Sequence, residues 1–175
     1  MNSKFISKHK DQFEIINVYL NKLINDKLIV YAIDPKSDLF ETKESYGDRI
    51  LGCQIYKIIT NECRITPSPS TCQNIFQHSA SNLALSQLYD QLPISDFIVG
   101  PEPVSTKKKG DIMEVIICEL KESKDKIAKQ LLKLMILVLI QHAIFKNYTK
   151  EFTLAKICNT HTMLTITISL LSLLE

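Results

Sequence analysis

Two short acidic clusters hold the residues with the clearest chemical potential: Glu41, Glu44 and Asp48 in the segment FETKESYGDRILG, and Asp111 with Glu114 in KKKGDIMEVIICEL. On a helix the first set falls at i, i+3, i+7 and the second at i, i+3, so each cluster lines one face. Extending the first stripe reaches Leu51, Ile55 and Ile58, and extending the second reaches Val115 and Cys118. The acids therefore stand at the ends of apolar seams that face a partner element. Ionised carboxylates in such places cost several kcal/mol each unless something compensates them, and like charges at helical spacing repel. A divalent cation supplies that compensation. Glu44, Asp48, Asp111 and Glu114 offer hard oxygen ligands with no His or paired Cys at ligand spacing beside them, a set that suits Mg²⁺, with Mn²⁺ as a substitute, rather than zinc. Either cluster alone reads as a solvated helix face; two of them, both on apolar stripes, point to a site.

The elements that must position these acids are helices. Asp11 is expected to cap a helix running to about Asn25, where Phe13, Ile16, Leu20, Leu23 and Ile24 keep a helical period. Asp34-Pro35 interrupts the chain after a short helix and opens the loop into the first acidic helix, predicted from about Glu41 to Asn61. Thr66-Pro67-Ser68-Pro69-Ser70 reads as a loop, with Ser70 or Thr71 capping a helix to about His78. Asn82 to Gln91 is a further helix. Pro93, Gly100, Pro101 and Pro103 bracket a loop that ends in Lys107-Lys108-Lys109. The second acidic helix is predicted from Asp111 to about Glu122 and a long apolar one from Asp125 to Phe145. Its unbroken run Leu134 to Ile140 is too short to span a bilayer, which needs about 20 apolar residues, so a fully buried helix is expected.

Composition narrows the function classes. A chain of 175 residues is one ordinary domain, taken as 1–150, with a tail over 151–175 whose apolar stretch Leu164 to Leu174 fits a docked strand or helix, a marginal membrane contact, or sequence outside the folded domain. A formal charge of +2 does not suggest general affinity for nucleic acid, so any such surface must be local. Arg49 and Arg64 are the only arginines, which leaves phosphate contacts to lysines. Lys107, Lys108 and Lys109 are the candidates, because they directly precede Asp111. Five cysteines without metal-site spacing, and a start without an apolar stretch, fit an intracellular protein, nuclear or cytoplasmic, with no obligate membrane association. Cys/His and Ser/His catalysis find no support in four scattered histidines.

The segment E-T-K-E-S-Y-G-D-R-I-L, Glu41 to Leu51, resembles the signature helix of the ribonuclease III endonuclease domain, usually E-R-L-E-F-L-G-D-A-V-L; Glu41, Glu44, Gly47, Asp48 and Leu51 match in order and spacing. Ser81-Asn82-Leu83-Ala84 is similar to the family's S-N-x-x-L-A turn, Asp111 and Glu114 to its second catalytic helix, and Leu28 to Ile33 to the helix before the signature. The resemblance covers roughly residues 25 to 120. Departures are Lys43 and Ser45 in place of Leu and Phe, Asp34-Pro35 in place of Thr-His, and no Arg-rich segment between Arg64 and Ser79.

The resemblance implies an all-α, ribonuclease III-like domain and a Mg²⁺-dependent endoribonuclease acting on double-stranded RNA, giving 5′-phosphate and 3′-hydroxyl ends with short 3′ overhangs. By it, Glu44, Asp48, Asp111 and Glu114 are catalytic metal ligands, with Glu114 least replaceable. Glu41 is an outer contact to water or a neighbouring chain, and two copies pair as a homodimer. About twenty-five residues follow Lys150, too few for the family's separate double-stranded-RNA-binding module, so a minimal nuclease is expected. Two other readings compete: a non-catalytic relative that binds RNA or serves as a ribonucleoprotein scaffold, and an unrelated helical interaction domain whose acids are surface charges.

Overall fold

The computed structural model describes residues 1, 3–61, 68–99, 104–147, 165–167 and 169–170. These residues are helical without any strand among them, so the chain belongs to the all-α class. Among the described residues the main helices are, in order, α1 (Ser3–Lys8), α2 (Lys10–Asn25), α3 (Phe40–Asn61), α4 (Pro69–Ser79), α5 (Asn82–Tyr89), α6 (Thr106–Glu122) and α7 (Lys126–Asn147), with a 3-10 turn at Pro93–Asp96 after α5.

Helix α6 is the axis of the molecule. It packs against α3, α5 and α7, and α7 in turn meets α2 and α4. Every residue of α6 from Gly110 to Leu120 is buried, and between Leu131 and Ile144 of α7 only Lys133 escapes burial. The expected apolar seams hold: Leu51, Ile55 and Ile58 of α3 and Val115 and Cys118 of α6 all lie in the interior. A Leu or Ile so buried contributes about 1.5–3 kcal/mol. By length and apolar content α7 would suffice to cross a membrane, yet most of its apolar window lies inside the protein. Such burial is the pattern of a core helix.

Local chemistry sets the helix ends, and several differ from expectation. α2 stops in a Schellman motif: Lys27 takes φ 58, its amide donates to the Ile24 carbonyl at 3.0 Å, and the Leu28 amide donates to the Leu23 carbonyl at 2.9 Å. The helix expected over Leu28 to Ile33 is absent, and the segment is a series of turns. Its amides are used elsewhere. Those of Val30 and Tyr31 donate to Glu119 Oε1 at 2.8 and 3.0 Å, and that of Ala32 donates to Oε2 at 3.0 Å. α4 begins earlier than predicted, with Pro69 in its first turn and the Ser68 hydroxyl accepting the Thr71 amide at 3.2 Å. α6 also starts early: Ser105 caps it through the Lys108 amide, so the lysine run is helical rather than looped. α1 is too short to carry a readable apolar period, and its Phe5 is fully buried.

Of the expected tail, residues 165–167 and 169–170 are helical, and Ile166 and Leu170 join the core. The Tyr19 hydroxyl donates to the Leu170 carbonyl. Predicted features at 62–67, 100–103 and 148–164, including the Thr66-Pro67 loop, lie outside the described residues.

Candidate metal centre

Close approach of α3 to α6 builds the site. Gly47 makes it possible: a Cβ there would stand 1.9 Å from the Glu114 carbonyl oxygen and 2.6 Å from its carbon. No side chain fits such a gap, so the glycine lets the α3 backbone lie on α6 one turn from Glu44 and directly before Asp48. Gly110 does the same on the other side, where a Cβ would meet the Asn82 side chain at 2.6 Å. There Ser81 caps α5 by accepting the Ala84 amide at 3.2 Å, which anchors α5 against the start of the acidic stretch of α6.

With the helices so placed, Glu44, Asp111 and Glu114 each offer a carboxylate oxygen, all within 4.8 Å of one another. Asp111 and Glu114 are only 6% and 7% exposed, and Glu44 is half-buried. Removal from water pushes all three carboxyls above their usual range. For Glu114 burial is the chief cause, followed by the charges of Asp48, Glu44 and Asp111, which together raise its pKa to about 8. Glu44 rises through burial and then through Asp111 and Glu41. Asp111 rises through burial against the lowering pull of Lys107 and Lys108.

The other sequence candidates divide. Asp48 is exposed on the rim and outside the 4.8 Å set, although it is the first charge to act on Glu114. Glu41 is also exposed and adds its charge to Glu44 and Asp111. The three lysines fan apart at about 100° per residue. Lys107 reaches Asp111 Oδ2 at 3.9 Å while remaining largely in solvent. Lys108 lies over the Phe40 ring, 3.8 Å from its centroid. Lys109 pairs with Asp90 at 2.6 Å. Only Lys107 of the run is thus directed at the acids.

The donor set fits a hard divalent ion. On one Mg²⁺ with bonds of about 2.1 Å, oxygens stand no more than about 4.2 Å apart, close to the span found here. The donors are all carboxylates, and a bound cation would favour their ionised forms, which burial disfavours. Glu119 is the residue that sequence reasoning missed. An acid between Cys118 and Leu120 in an apolar stretch was its signal, and it serves the backbone of residues 30–32 rather than the cluster.

No protein-family model matches the chain, and no curated protein matches it.

Proposed function

We propose that this protein is a divalent-metal-dependent endoribonuclease of ribonuclease III type, cleaving double-stranded RNA by phosphodiester hydrolysis. The observation that carries the reading is the meeting of Glu44, Asp111 and Glu114 in a half-enclosed cluster that lacks enough positive charge of its own. A structural role leaves that arrangement unexplained, because three acids desolvated together weaken the fold unless their charge is offset. Gly47 adds support: a close helix crossing that sets Glu44 and Asp48 beside Glu114 is what the resemblance to the signature helix calls for.

Glu44, Asp111 and Glu114 would hold Mg²⁺, or Mn²⁺ in its place, with Asp48 at the rim able to join through water. A divalent ion in such a site supplies Lewis-acid polarisation of phosphoryl oxygens and acidification of water. The residues themselves do the rest. Burial of Asp111 and Glu114 fixes their rotamers and keeps bulk water from competing for the ligand oxygens. Lys107, 75% exposed at its side chain and 3.9 Å from Asp111, offers a point charge to a phosphate approaching the cluster. The exposed face of α3, with Glu41, Ser45, Tyr46 and Arg49 around a shallow groove, is the surface on which a second copy would pair.

Incubation of the protein with a long RNA duplex in Mg²⁺ tests the reading: cleavage into short duplexes with 5′ phosphates is expected, and Glu114→Gln should lower the rate about a hundred- to a thousand-fold or more. Binding of duplex without cleavage in either Mg²⁺ or Mn²⁺ would support the RNA-binding scaffold instead.

A further inference from the structure

A second cluster, drawn from α3, α6 and α7, carries the opposite charge. A cavity of about 220 Å³ between α3, α6 and α7 is lined by Gln54, Lys57, Lys121, Lys129 and Lys133 over an apolar floor of Ile58 and Leu132. Four lysines from three helices converge there, and no acid is among the lining residues. Within the described residues, Lys57, Lys121 and Lys129 form no ion pair with a carboxylate. This sets them apart from Lys22, Lys43 and Lys109, each of which pairs with an acid at 2.5–2.8 Å. Ile58 and Leu132 are the apolar part of the lining, a surface along which lysine stems can lie while their ammonium groups stay in water. Gathering like charges around one concavity raises the local potential and attracts anions, and the Gln54 amide adds a neutral donor.

Position relates this cavity to the acids. Lys121 follows Glu114 by seven residues on α6, two turns further along the same face, a rise of about 10 Å. One strand of a nucleic-acid duplex presents a phosphate about every 3.4 Å of its axis. The stretch of α6 between them is buried, so a duplex would meet the protein at the two openings, one phosphate at the acids and another several nucleotides away at the lysines.

We infer that the lysine-lined cavity between α3, α6 and α7 is a phosphate-binding site that grips the backbone of a duplex RNA away from the position cut at the acidic cluster. The inference rests on the proposed function for the identity of the polyanion; the affinity of the cavity for phosphate oxygens does not depend on it. The residues are surface lysines drawn from three separate helices, so no sequence run announced them.

Binding of an RNA duplex in EDTA, measured from 50 to 200 mM salt, tests the proposal together with calorimetric titration of tripolyphosphate. The triple variant Lys57→Gln/Lys121→Gln/Lys129→Gln should bind duplex at least about ten-fold more weakly at the lower salt, with its log–log salt slope reduced by about two to three, and should lose tripolyphosphate binding. The corresponding triple Lys→Arg variant should restore both, and unchanged thermal midpoints verify that these exposed positions leave the fold intact. Wild-type affinity, slope and tripolyphosphate binding in the Gln variant would overturn the site while leaving Mg²⁺-dependent cleavage untouched. Lysine-dependent binding of tripolyphosphate by a protein with no affinity for duplex would keep the phosphate site and overturn RNA as its occupant, and with it the nuclease reading.

Discussion

Glu114 and Glu119 sit five residues apart on one helix, 7% and 6% exposed, and experience opposite surroundings. Glu119 accepts three backbone N–H groups from residues 30–32 at 2.8–3.0 Å, so its charge is solvated by the protein and organises a chain segment nearly ninety positions away. Glu114 faces Asp48, Glu44 and Asp111 instead, and burial first, then those charges, raise its pKa to about 8. Burial alone therefore says little about what an acid does. The partners decide: donors make a structural carboxylate, and further carboxylates make one that awaits a cation.

The sharpest way to break this contrast is Glu119→Ala. It strands three amides at once and should cost about 4 kcal/mol, a fall of about 10 °C in thermal midpoint, whereas Glu114→Gln should leave the midpoint unchanged or raise it. Equal losses in the two variants would erase the distinction. Next in size is the response to metal. Mg²⁺ at a hundred times its dissociation constant should stabilise the wild type by about 2.7 kcal/mol, should do the same for any folded Glu119 variant, and should leave Glu114→Gln unmoved in the same thermal melts.

Gly47→Ala is a smaller perturbation with an informative sign. In a free helix the change is favourable by about 1 kcal/mol, but the new methyl would press on the Glu114 backbone, so a net loss of about 2 kcal/mol and weakened Mg²⁺ binding are expected in chemical denaturation and calorimetry. The pH dependence in EDTA tests the Glu114 carboxyl by itself. Glu114 has a folded pKa raised from 4.5 to about 8, so its stabilising contribution is complete below pH 4.5 and disappears as pH rises through 8. Buried His9 and His142, whose pKa values fall from 6.5 to about 4, act in the opposite sense: their contribution is present above 6.5 and is lost as pH falls towards 4. Since they occur in both proteins, the wild-type minus Glu114→Gln midpoint isolates the carboxyl and should decline steadily from pH 5 to pH 8.

Much of this architecture was legible because it is local. Periodic apolar positions mark α2, α3 and α6, a long apolar run marks α7, and the stripe that joins Glu44 to Leu51 and Ile55 is a true seam. What the sequence hid is non-local. Nothing near Leu28 to Ile33 tells that its amides belong to Glu119, and the likeness to the family helix before the signature therefore suggests a helix there. Asp48 matches the stripe by spacing, yet its side chain is exposed at the rim and outside the 4.8 Å set, acting on Glu114 through its charge. In sequence the lysine run reads as one unit. Helical geometry separated it into an ion pair to the cluster, a cation over Phe40 and a bridge to Asp90.

Encasement of α6 from Gly110 to Leu120 has a further consequence. A helix surrounded on every side has no cheap partial opening, so its amides should exchange with deuterium only on the timescale of global denaturation, and later than those of α1 or α4. Asp111 and Glu114 ride on that helix. Their mutual alignment consequently lasts as long as the native state itself, and fraying at the periphery cannot scatter them.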